Sequence, residues 1–159
     1  MKETVEGFNG LEVWFKELDV QADSIDYRSV IEMQEGLLEQ AHSLFFREEK
    51  NPQGKPWAAL RQSTIARKGD DTILVDTGRL RDSLTGRTGD SLRKIVEKRD
   101  RIALLFDTKV PYSIFHMEKG PHGRPARIHV GITKNRADTF QEQILNITVN
   151  SLRRKHNGN

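Results

Sequence analysis

The chain reads as an α+β domain: a mostly antiparallel sheet packed by a long N-terminal helix and a C-terminal helix, with a long loop at about residues 51–72. Three observations predict this class. Apolar residues alternate with period two in some segments and recur every three to four residues in others, so strands and helices are both expected. Their order along the chain does not alternate as βαβ units do, which points away from a parallel sheet. The length, 159 residues, suits one domain with a core of its own, so residues 1–159 are expected to form a single unit.

Element by element, Leu11, Val13 and Phe15 share one face in period two, the pattern of a first or edge strand. From Asp26 the period changes: Val30, Met33, Leu37, Ala41 and Leu44 recur at helical spacing, widened by Leu38 and Phe45, and predict a helix over roughly 27–49. Asn51-Pro52-Gln53-Gly54-Lys55-Pro56-Trp57 then interrupts everything. A loop to about residue 72 follows, with a short helical turn at Ser63 to Lys68 and Trp57 as the aromatic that ties it down. Leu92–Val96 and Ile102–Phe106 flank a charged run and predict an antiparallel hairpin. Tyr112 to Lys119 fits a short helix stopped by Gly120, Arg127 to Thr133 a strand, and Phe140, Ile144, Ile147 and Leu152 a C-terminal helix with a frayed tail from about 153.

Composition narrows the function classes. Cysteine is absent, which removes disulfides, thiolate metal sites and cysteine nucleophiles. The first ten residues carry acids where the apolar core of a leader would lie, and no apolar run approaches the length of a membrane span, so no membrane partner is expected. The net charge of +3 hides a split: residues 1–50 hold 5 Lys or Arg against 12 Asp or Glu, and residues 51–159 hold 21 against 11. Such separation suits the meeting of one subunit's acidic surface with a neighbour's basic one, or a basic face turned to nucleic acid.

The stretch ILVDTGRLRDSL, from Ile73 to Leu84, has two readings. Asp76-Thr77-Gly78 matches the catalytic loop of an aspartic protease, which in a chain with one such triplet requires a dimer sharing a proton between two Asp76 carboxylates. Yet Leu80 and Leu84 lie at i and i+4, a helical spacing, and Arg79 and Arg81 would hold both carboxylates ionised. On the second reading Asp76 or Thr77 caps a helix, Gly78 makes the turn, Leu80 and Leu84 dock the helix, and Arg79 and Arg81 face outward. His116, His122 and His129 are spaced by six and seven residues across a Pro/Gly loop and match no compact zinc pattern. No metal, no cofactor and no catalytic residue is expected, and His116 reads as a packed or interface side chain. A nucleic-acid-binding module would draw on Arg79, Arg81, Arg87, Arg93 and Lys94.

Four pieces, in order, resemble the phage virion morphogenesis family, which includes tail completion proteins: FREEKNPQGKPWAAL, ILVDTGRLRDSL, VPYSIFHMEKG with Tyr112, His116 and Gly120, and PARIHVGIT with Arg127. They cover about residues 45–133. Arg127-Ile128-His129-Val130-Gly131 stands where the family carries Arg-Pro-Phe and Leu-Gly, and Met117 where a polar residue follows the matched His. The resemblance implies a non-enzymatic structural protein of a tailed phage or prophage, assembled in the host bacterial cytoplasm and carried in the virion. Related neck and terminator proteins form rings, often of six subunits, around the passage for DNA. Implied partners are copies of itself, tail tube or head-tail connector proteins, and DNA in transit. Trp57 and the loop from Gly120 to Pro125 are the segments expected to reach neighbours.

Overall fold

A computed structural model describes residues 11–16, 27–98 and 101–156. The described elements are β1 (Leu11–Lys16), α1 (Tyr27–Glu48), α2 (Gln62–Lys68), α3 (Arg79–Thr85), β2 (Ser91–Lys98), β3 (Arg101–Thr108), α4 (Ser113–Met117), a 3-10 turn at Pro121–Gly123, and α5 (Lys134–His156). The fold is α+β, as the sequence predicts. The sheet has the order β1-β3-β2 and both pairings are antiparallel. Its register runs from Leu11↔Phe106 to Lys16↔Arg101 on one side and from Ser91↔Thr108 to Lys98↔Arg101 on the other. The tip of the β2–β3 hairpin, residues 99–100, lies outside the described residues.

The core forms where α1 crosses β3 and α3. Ile31, Leu38 and Phe46 along α1 meet Leu104 and Phe106 of β3 and Leu80 and Leu84 of α3, with Phe140 of α5 closing the cluster. These α1 residues are spaced for one helical face, and the two β3 residues are two apart, so each element contributes the side its period dictates. Ser83 locks α3 to the sheet: its hydroxyl donates to Leu80 O at 2.7 Å and lies 2.6 Å from Thr108 Oγ1.

Beneath this core runs a polar seam. Arg93 of β2 stacks its guanidinium 3.5 Å from the centre of the Phe106 ring. Its nitrogens donate to the carbonyls of Leu92, Asp107, Ser83 and Leu84, and it faces Glu35 and Glu39 of α1 at 3.7 and 3.6 Å. Burial pulls the Arg93 pKa down and the two glutamates push it back, so the cation stays charged at a site lined with carbonyls. His42 also stacks on the Phe106 ring, with centroids 4.8 Å apart, donates Nδ1–H to Leu38 O and is held neutral by burial, with a pKa of about 4.

The expected loop at 51–72 carries α2 where a short helical turn is predicted: Asn51 Oδ1 accepts the amides of Gln53 and Lys55, Lys50 bridges to Pro56, and α2 ends in a left-handed Gly69 whose amide returns to Ile65 O. Three expectations are corrected here. Residues 127–133 form no strand. Their backbone is satisfied instead by the Trp57 indole on Ile128 O, by Arg127 N–H donating to His116 O, and by His129 Nδ1–H on Arg127 O, which leaves no ladder to join. Helix α4 is shorter than expected and stops at Met117, capped by extended Glu118. Gly120 lies beyond it and pairs with Arg124, whose guanidinium occupies the space a Cβ at Gly120 would fill. Finally, α5 continues through His156, so the expected frayed tail from 153 is helical up to that point.

Candidate functional site

A cleft of about 530 Å³ opens between α2, the segment 72–78, the start of α3, and α4. Its apolar floor comes from Leu60, Leu74, Val75 and Leu80, and its polar wall from Thr64, Arg67, Lys68, Asp76, Thr77, Arg79, Tyr112, His116 and Arg127. Five of those wall residues are basic types and one is acidic. Two of the cations are already engaged. Lys68 Nζ donates to Asp70 Oδ1 at 2.6 Å and to Thr72 O, and Arg79 makes a two-pronged pair with Asp90 at 2.6 and 2.8 Å. Each pairing holds its carboxylate below the usual range, and Asp90 also raises the Arg79 pKa.

The remaining basic side chains of the wall have no ion pair among the described residues. Arg127, only 8% exposed, gives Nε–H to Ala58 O and an Nη2–H to Ala59 O, and faces no carboxylate among the described residues. Burial lowers its pKa and the Arg124 charge lowers it further. His116 is likewise pushed down, first by burial and then by Arg124 and Arg127, so it sits neutral with a buried Nδ1 that has no hydrogen-bond partner. Behind it His129, completely buried, uses both ring nitrogens: Nδ1–H donates to Arg127 O, and Nε2 accepts from Ser113 Oγ at 2.8 Å. That tautomer is neutral, in keeping with a pKa of about 4 set by burial. Arg67 is exposed on α2 and has no ion pair among the described residues.

The cleft gathers Asp76, Thr77, Gly78, Arg79, Leu80, Tyr112, His116 and Arg127, residues drawn from three separate stretches of the chain. Other singled-out residues go elsewhere. Trp57 is a core residue that packs edge-on against Phe46 at 5.5 Å and donates its indole N–H to Ile128 O at 2.9 Å. Leu84 is buried in the core, Arg81 pairs with Asp82 on an adjoining surface, and Gly120 serves Arg124. The capping role expected of Asp76 is corrected: the helix N-cap is Gly78, in a left-handed conformation with φ 83°, and Asp76 is exposed without a hydrogen bond among the described residues. Thr77 is nearer the expectation, since its Oγ1 receives the Arg79 amide at 3.4 Å. Gly78 takes the cap because only a residue free of Cβ strain makes the left-handed turn beside the Arg81 and Asp82 side chains.

Sequence reasoning missed Leu60, Thr64, Arg67, Leu74 and Val75 as cleft residues. The one signal for them is the mixture of apolar and basic residues in a segment without sustained period. Leu74, with φ 59°, is held in the left-handed region at the cleft floor, a conformation no propensity rule assigns to leucine.

The order of these pieces agrees with the wider comparison: a model of the phage virion morphogenesis family matches residues 8–149. The chain belongs to the phage virion morphogenesis family. No curated protein and no solved structure matches it. Membership points to a structural, assembly role in a phage particle. The family match also extends the resemblance on both sides, taking in β1 and most of α5 beyond the segment 45–133 that the motifs mark. In this family member the triplet leads through a left-handed glycine into a seven-residue helix, whereas the protease loop leads into strand.

Proposed function

We propose that this virion morphogenesis protein acts in tail completion or head-to-tail joining of a tailed phage or prophage, as a subunit of a ring or neck component built from several copies of itself, six being the number suggested by related rings. It assembles in the host bacterial cytoplasm and contacts tail tube or connector proteins. The observation that carries this reading is the convergence of three separated motif pieces, around residues 76–80, 112–116 and 127, on one open cation-rich cleft. Residues held together only for stability would be buried, as Leu80 and Leu84 are. Asp76, Thr77, Arg79 and Tyr112 are instead exposed around the opening, where a neighbour reaches them.

The uneven charge of the chain supports contacts between copies, and the disposition of the basic residues supports protein over nucleic acid as the partner. Of the five basic residues expected to serve a nucleic-acid surface, Arg79 is paired with Asp90, Arg81 with Asp82 and Arg87 with Glu35, while Arg93 is sealed in the polar seam. Electron microscopy of the purified protein tests the reading: closed rings are expected, and a field of isolated single subunits at high protein concentration would overturn it.

A further inference from the structure

We propose that the cleft between α2 and α4 receives the acidic segment at residues 17–26 of a second copy of this chain. The inference rests on the assembly reading above and names which surfaces meet. The cleft supplies two kinds of complementarity. Its floor, Leu60, Leu74 and Val75, offers apolar contact, and its volume of about 530 Å³ falls within the range that encloses a small ligand or a few side chains. Its rim offers the exposed Arg67 and Arg79 guanidinium groups, Arg79 already paired with Asp90, while Arg127 and His116 lie deeper in the lining.

The occupant follows from where the negative charge of the chain is spent. Glu35 and Glu39 face Arg93, Glu48 meets Arg47 and Lys50, and Glu49 accepts the Ile73 amide at 2.6 Å. The densest remaining acidic run is Glu17-Leu18-Asp19-Val20-Gln21-Ala22-Asp23-Ser24-Ile25-Asp26, with four carboxylates, three large apolar side chains if Leu18, Val20 and Ile25 are counted, and no Lys or Arg. Acid and apolar residues alternate from Glu17 to Val20, so a segment laid along the cleft puts apolar side chains on the floor and carboxylates on the rim. Asp76 is the single carboxylate among the lining residues, and it opposes this docking.

The absence of cysteine makes the test clean. Two full-length single-cysteine chains, Thr64→Cys and Val20→Cys, carrying tags of different mass, are mixed under mild oxidation. A mixed disulfide well above the level given by the pair Gln141→Cys and Val20→Cys, with Gln141 exposed on α5 away from the cleft, is the expected result. Adding Arg67→Glu to the Thr64→Cys chain lowers that yield about tenfold, and Asp19→Arg on the Val20→Cys chain restores it. Yield no greater than the Gln141 control, no rescue by the charge exchange, or a disulfide formed only within a chain carrying both Thr64→Cys and Val20→Cys overturns the proposal. Native mass spectrometry of the parent chain separates the two readings. Oligomers without the Thr64 to Val20 link leave self-assembly standing and remove this contact, whereas a strict monomer removes both.

Discussion

Trp57 shows what a single residue contributes when the sequence around it carries little periodicity. It fills the space against Phe46 and holds residue 128 through its indole, so Trp57→Ala is expected to cost about 3–5 kcal/mol in urea unfolding. Trp57→Phe keeps most of the packing but strands the Ile128 carbonyl, at about 1 kcal/mol. Asp76→Asn, at an exposed residue, is expected to shift stability by no more than about 0.5 kcal/mol. Neither parent nor variant is expected to cleave a peptide substrate; cleavage by the parent that Asp76→Asn abolishes would restore the protease reading. His42 and His129 set the pH response. Both have folded pKa values of about 4, below the ordinary value of 6.5, so the unfolded chain binds protons first and stability is complete above pH 6.5 and lost as pH falls toward 4. His116 shifts in the same direction. Asp107, raised by burial, works against the trend by favouring the folded state as it protonates. Urea midpoints at pH 7, 6 and 5 are expected to fall in that order, and a flat profile would contradict neutral burial of the two histidines.

Among the elements, those with a strong period were legible and those held by side chains were not. Helix α1 and strands β1 to β3 follow from apolar spacing in the sequence. The segment 127–133 also alternates, with Arg127 and His129 inward and Ile128 outward, yet it is no strand: Trp57, Ala58 and Ala59 supply its partners from a distant loop that no local pattern announces. Gly78 as cap was masked in the same way, since Asp and Thr lead the capping preferences and only the left-handed turn decides against Asp76. Leu80, Leu84 and the cleft position of Tyr112 and His116 were within reach of the motifs, while Arg67 and Leu74 needed the fold. The element that joins sheet to helix is Arg93. Arg93→Ala removes the only cation facing Glu39 among the described ion pairs, leaves Glu35 with Arg87 alone and takes a donor from four carbonyls, and is expected to lower stability by about 3–5 kcal/mol in thermal or urea unfolding. A change under 1 kcal/mol would show that the seam is solvated.

At the scale of the whole molecule, the net charge of +3 says little and its distribution says much. The described acids of α1 are used to hold β2 and the loop after α1, so the basic cleft is left facing outward. Separated charges of this kind draw copies together when they are weakly screened and release them when salt shortens the reach of each charge to about 3 Å at 1 M. Membership of the virion morphogenesis family sets the setting, a phage particle under assembly, and the proposed contact is the cleft. Native mass spectrometry of the purified chain across protein concentration and ionic strength tests self-assembly most directly. A discrete closed oligomer that grows with concentration and dissociates at high salt is the predicted result. A strict monomer at high concentration, unchanged at low salt, would contradict the account.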